Sequence, residues 1–207
     1  YSPGYCDWPL DDQARLFENV TAAWHEHHAP EVASQTQAMY ARALRRLNAK
    51  FGGRDISSIR RGEIVRFLDE LKAASKSGVP ANHAAATIRL LFAYAADRLE
   101  LEGNPAAGLK NPAKVKARSR ILTRAEIRIV WRACEEAGYP FGHALRFQLC
   151  TGQRIGEIGD MRRDELEDGF WRLSRNKTGK RIDVFIASHA RAILDDCPNF
   201  GDGAPFF

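Results

Sequence analysis

Cys150–Met161 reads CTGQRIGEIGDM. Two residues past a Thr151-Gly152 break stands Arg154, and three further on Glu157, with Cys150, Ile155, Ile158 and Met161 setting apolar side chains around the pair. Glycine after a helical run ends a helix, so the pattern predicts one helix closing at the break. A second starts near Gln153 and runs to about Met161, with Arg154 in its first turn. A guanidinium does not lose its charge, and burying it is costly unless an anion meets it. Free N–H groups and the helix dipole favour an anion in the same turn. Glu157, at i+3, is spaced to fix the arginine's orientation. By itself the pair reads equally well as a local salt bridge.

Downstream, GFWRLSRNKTGKRIDVFIA (169–187) alternates Trp171-Leu173 and Ile182-Val184-Ile186 about the turn NKTG, which predicts a hairpin carrying Lys177 at its tip. Placed near Arg154, that ammonium could reach a leaving oxygen and protonate it; a merely solvated turn lysine is the alternative. SHARAILDDC (188–197) returns to helix. Upstream, LTRAEIRIVWRACEEAG (122–138) opens with a Thr123/Glu126 capping box and repeats Ile127, Val130, Trp131 and Cys134 on one face. FGHALRFQLCTG (141–152) follows with Leu145, Phe147 and Leu149. This half is therefore mixed α and β.

From Asp11 to Leu101 the apolar spacing is helical throughout. The first helix carries Leu16, Val20, Ala23 and Trp24; the second starts at a Ser34 cap, carries Met39, Tyr40, Ala43, Leu44 and Leu47, and stops at Gly52-Gly53. The third presents Ile64, Val65, Phe67, Leu68 and Leu71; the fourth, VPANHAAATIRLLFAYAADRLEL (79–101), ends near EGNPAAG, with Asn82 and His83 in its opening turn. Four helices with short connections make a small bundle. Between the halves, KNPAKVKARSR (110–120) holds Lys110, Lys114, Lys116, Arg118 and Arg120 and none of the chain's 26 acids, so it alone carries the formal excess of +5. Prolines and few apolar anchors predict an extended linker over 110–121. Its cations fit backbone phosphates, with a solubilising tether as the plainer reading.

The chain's 207 residues allow two small domains. No apolar run approaches the roughly 18 residues of a membrane span, and YSPGYCDWPLDD lacks a secretion signal. With no initiator Met, the chain reads as a piece of something longer. Cys6, Cys134, Cys150 and Cys197 are scattered without CxxC spacing, which points to reduced thiols and a cytoplasmic protein. His25, His27 and His28 have no further ligands in sequence to complete a metal set, so they read as a solvated helix end.

TGQRIGEI followed by NKTGKRIDV resembles the tyrosine recombinase family of phage and mobile-element integrases, with its TGxRxxE arginine helix and hairpin lysine. Thr36–Ala106 is similar to that family's helical core-binding domain. The resemblance implies a mainly α fold with a small β-hairpin or sheet: a tail (1–10), a four-helix, SAM-like core-binding bundle (11–109), the basic linker (110–121) and a truncated α/β catalytic domain (122–207). It implies Arg154 as the first catalytic arginine, Lys177 as general acid and Glu157 as the arginine's support. Lys110, Lys114, Lys116, Arg118, Arg120, Asn82 and His83 become DNA contacts, although helix capping accounts for Asn82 as well. The resemblance further implies double-stranded DNA as the partner, a 3′-phosphotyrosyl intermediate without metal or cofactor as the chemistry, and a homotetramer on DNA as the assembly of the complete protein, with this chain expected to be monomeric in its absence.

The departures lie downstream. The family's H-x-x-R and nucleophilic tyrosine follow the hairpin, yet His189 and Arg191 have the spacing H-x-R and all five tyrosines precede Arg154. Phe185-Ile186 stands where Pro-Leu is usual, and Arg163 where Trp is common. The chain is thus expected to end inside the catalytic domain, as an inactive fragment. A naturally short, non-catalytic DNA-binding relative and a helical adaptor for an acidic protein are the rival readings.

Overall fold

The computed structural model describes residues 13–99, 101–115, 117, 119–173, 181–201 and 203–207. Its chain divides into two compact units, 1–118 and 119–207. It is mainly helical, with one small antiparallel sheet.

The first unit is a four-helix bundle: α1 Phe17–His28, α2 Ser34–Phe51, α3 Arg61–Ala73 and α4 Val79–Leu99. Apolar residues three and four apart give each helix one face to bury. Trp24 meets Tyr40 edge-on at 5.0 Å, and Phe51 lies 5.6 Å from Phe17 and 5.5 Å from Phe67. Each such side chain contributes about 1.5–3 kcal/mol on burial. Ala81, Ala84, Ala85 and Ala95 give α4 a slim buried face, between Ile88, Leu91 and Phe92. The first helix buries Phe17, Val20, Thr21 and Trp24, so Val20 and Trp24 face the core as their spacing implies, while Leu16 and Ala23 are only half-buried. Two expectations fail here. Ser34 is the first helical residue, behind an uncapped Ala33, and Val65 is exposed on α3.

The second unit runs α5 Arg124–Ala137, α6 Phe141–Thr151, α7 Ile155–Gly159, β1 Leu166–Glu167, β2 Phe170–Leu173, β3 Ile182–Phe185 and α8 Ser188–Asp195. The strands pair antiparallel in the order β1-β2-β3, with Trp171 opposite Val184 and Leu173 opposite Ile182. The sheet therefore has a third strand, β1, beyond the expected hairpin. Phe147, Ile158, Met161, Trp171, Leu173, Val184, Ile193 and Phe206 form the core. The capping box at Thr123 is present, the Thr123 hydroxyl accepting from the Glu126 N–H at 3.3 Å. The apolar stripe of α5 is less buried than its spacing implies. Cys134 is buried, whereas Ile127 is exposed, as are Leu145 and Leu149 on α6 and Ile182 on β3. On α6 the inward face is set by a close approach at Gly142: a Cβ there would stand 1.9 Å from the Cys134 carbonyl oxygen. That contact turns His143, Ala144 and Phe147 inward in place of Leu145 and Leu149.

Candidate nucleic-acid interface and arginine site

The chain between α6 and α7 is built to hold one side chain. Gly152 takes φ 68°, a left-handed cap for which glycine has no steric penalty, and its N–H donates to the Gln148 carbonyl at 2.8 Å. The Thr151 hydroxyl donates to the Phe147 carbonyl at 2.8 Å, and Gln148 Nε2 donates to the Gln153 carbonyl at 3.2 Å. Arg154 follows with extended backbone, as the N-cap of α7 and not in its first turn. Because α7 has only five residues, the anion-attracting charge here is the guanidinium's far more than a helix dipole's.

Arg154 and Glu157 form the site's described core. Arg154 Nη1 donates to Glu157 Oε1 at 2.8 Å, and the Arg154 backbone N–H donates to Oε2 at 3.3 Å. The carboxylate is 9% exposed and the arginine side chain 65%. A buried anion thus grips one edge of a guanidinium whose remainder stands in solvent. Among the described residues only Glu157 meets that guanidinium, so its free N–H groups have the fork geometry that suits two oxygens of one phosphate. Lys177, expected to share this space, lies outside the described residues.

The basic segment is placed in parts. Lys110 and Lys114 are exposed on the first unit; Lys116 and Arg118 lie outside the described residues. Arg120 is exposed, but its Nη2 donates to Glu126 Oε1, the same carboxylate that closes the capping box of α5. His83 is exposed on α4. Asn82 is not a cap: it lies within α4, and both ends of its amide bond the backbone of Ala113. The stretch expected to begin a free linker is therefore fastened to the first unit at its start. Sequence reasoning missed the arginines that share this work. Arg61 Nη1 donates to the carbonyls of Pro105, at 3.1 Å, and Ala107, at 2.6 Å, while Arg89 Nη1 donates to that of Leu109 at 2.9 Å. The available signal was a loop whose carbonyls had no secondary-structure partners and so needed donors. Also missed was α2, which has no acid and exposes Arg42, Arg45 and Arg46.

The remaining candidates are quieter. His28, half-buried, stacks on Trp24 at 5.1 Å, and His27, which tilts against Tyr94 at 5.8 Å, is exposed as a solvated helix end implies. No group of three or more metal-ligating side chains gathers among the described residues, and no described helix is long and apolar enough to cross a membrane.

Residues 17–112 match the phage integrase central domain family. The integrase of Enterobacteria phage 434 is 28% identical over 138 residues, 63% of this chain and 37% of that protein. Prophage integrase IntE of Escherichia coli K12 is 26% identical over 165 residues, 79% of this chain and 44% of the relative. This chain therefore spans roughly two fifths of these relatives' length. Among solved structures, a lambda integrase tetramer bound to a Holliday junction superposes with a TM-score of 0.78 at 21% identity, covering 94% of this chain and 61% of that one. The Tn1549 transposon integrase in complex with circular intermediate DNA superposes at 0.65 and 16% identity, covering 90% and 68%. Residues 17–112 thus match the phage integrase central domain, and the chain is similar over most of its length to phage-type integrases.

Proposed function

We propose that this chain is the DNA-clasping portion of a site-specific recombinase, binding double-stranded DNA and supplying part of the phosphate-activating site. The observation that carries the reading is Arg154, a solvent-facing guanidinium held along one edge by the buried Glu157 carboxylate. Geometry of this kind serves a phosphodiester undergoing attack: the free fork takes two non-bridging oxygens and neutralises the charge that grows on them. Glu157 acts through Arg154, setting its direction. Lys177 would donate the proton to the departing 5′ oxygen. In the complete protein a tyrosine attacks the phosphate, a 3′-phosphotyrosyl bond holds the strand end, and a 5′ hydroxyl reverses the step; a homotetramer on DNA, in the cytoplasm, performs the exchange. With charge carried by arginine and lysine, the reaction needs no metal. Around the duplex, Lys110, Lys114, Lys116, Arg118, Arg120 and His83 serve as phosphate contacts.

Fluorescence anisotropy with a labelled duplex tests the reading. Binding should weaken steeply as salt rises, because each neutralised phosphate adds about 0.9 to the slope of log K against log salt. Absence of salt-dependent binding would remove the proposal in favour of an adaptor. All five tyrosines precede Arg154, so a nicked suicide substrate should yield no covalent protein–DNA adduct with these 207 residues, which should run as a monomer without DNA.

A further inference from the structure

The start of the basic segment is held as a strand would be. The Ala113 N–H donates to Asn82 Oδ1 at 3.0 Å, and Asn82 Nδ2 donates to the Ala113 carbonyl at 2.9 Å. One side-chain amide thereby satisfies both backbone groups of a residue 31 positions away. Seven residues along α4, Arg89 Nη1 donates to the Leu109 carbonyl at 2.9 Å, and both its terminal nitrogens reach Asn111 Oδ1 at 3.2 Å. Positions 82 and 89 are two turns apart on one stripe, about 10 Å along the axis; Leu109 to Ala113 spans about 13 Å when extended. The two clamps thus match the reach of the chain they hold. Leu109 is buried beneath them. Gly78 completes the seat, since a Cβ there would come within 2.4 Å of the Ala113 Cβ.

We propose that Asn82 and Arg89 are positioning residues: they fix 109–113 on α4 so that Lys110 and Lys114 meet duplex phosphates as fixed cations of the first unit, while the Asn82 amide itself touches no DNA. The inference rests on the duplex-binding reading above. Lys110 lies between the two clamped residues Leu109 and Asn111, and Lys114 directly follows Ala113. Both are exposed, and Lys76 and His83 stand within two residues of the same knot along the chain, exposed as well. Ammonium groups on a held backbone lose less freedom on meeting a phosphate than those on a tether, which is the general advantage of preorganisation.

The test is a charge-neutral substitution. Asn82→Ala changes no charge, yet in anisotropy titrations of the full chain with a mixed-sequence duplex it should lower the salt slope by about 1 and weaken binding about fivefold near 0.15 M salt, the loss of one phosphate contact. Lys114→Gln should do the same, and the double variant should be no weaker than Lys114→Gln alone, because both remove one interaction. Ala113→Pro, which deletes the clamped N–H from the segment side and leaves α4 untouched, should reproduce the effect. Without DNA, trypsin should cut after Lys114 faster in Asn82→Ala than in the parent. A parent-like slope for both Asn82→Ala and Ala113→Pro overturns the inference and leaves duplex binding standing. A double variant that loses a further full unit of slope overturns it too, since Asn82 would then contact DNA directly. If the parent shows no salt-dependent binding, the duplex reading falls and the inference falls with it.

Discussion

Gly142 and Gly62 are the second residues of α6 and α3, so an alanine gains the same helix propensity at either, at most about 1 kcal/mol. What differs is the space. A Cβ at Gly62 meets nothing within 4 Å, whereas one at Gly142 would lie 1.9 Å from the Cys134 carbonyl oxygen and 3.0 Å from its carbon. These are backbone atoms, so no rotamer change relieves the clash. α5 and α6 must separate by over an ångström, and the Cys134 oxygen also accepts the Gly138 N–H that ends α5. Overpacking of this sort costs about 1–3 kcal/mol. A net loss of about 2 kcal/mol from a unit of this size lowers its melting temperature by about 10 °C. Differential scanning calorimetry of both variants provides the comparison. Gly142→Ala should move the transition of the second unit downward and leave the first in place; Gly62→Ala should leave the first unit unchanged or slightly raised. If Gly142→Ala melts at or above the parent, the α5–α6 approach is not what turns Phe147 inward, and the account of why Leu145 and Leu149 are exposed fails with it.

Glu157→Ala removes the acceptor for two Arg154 donors and should cost the second unit about 1.5–3 kcal/mol in urea unfolding, the range for hydrogen bonds to a charged group; Glu157→Gln should recover part of that. The Arg54 guanidinium, donating to Glu63 at 2.7 Å, together with the Arg60 N–H, holds the Glu63 carboxyl down at about 2. Its folded value lies below its unfolded one, so the stability it adds is present above the ordinary glutamate range and is lost as pH falls from about 4.5 towards 2. Urea midpoints across that window should fall less steeply for Glu63→Gln than for the parent. Iodoacetamide at neutral pH should label exposed Cys150 ahead of buried Cys134 and Cys197, the latter's thiol being pushed up to about 11 by burial; equal labelling of Cys197 in the native state would contradict its burial at the end of α8.

The bundle was legible because each of its helices has one face to bury and the sequence repeats at the helical period. Tyr40, Ala43, Leu44 and Leu47 are all buried as their spacing implies. The second unit was harder for a physical reason: periodicity reports which residues share a face, not whether anything covers it. Leu145 and Leu149 have the spacing of core residues and remain exposed, because the inward face of α6 is set where its backbone approaches α5, at a residue with no side chain; Ile127 on α5 is exposed as well. Val65 on α3 illustrates the same limit.

The arginine site divides along similar lines. That Arg154 and Glu157 pair could be read from their spacing of three, a local relation. That the carboxylate is the buried member and the arginine the exposed one depends on the left-handed turn at Gly152, which makes Arg154 a cap and leaves its guanidinium outside. Asn82 shows the opposite case. An asparagine near a helix start has two familiar local uses, capping the helix or facing a ligand, and its actual partner is Ala113, beyond the reach of any local pattern. The charge of the segment 110–120 is written in its composition, but how much of that charge is held rigid is decided by a neutral amide and a distant arginine. A charge count therefore finds the cations proposed to meet phosphates while missing the residues that hold their backbone, and neutral substitutions on α4 are the sharper probe of the proposed duplex contact.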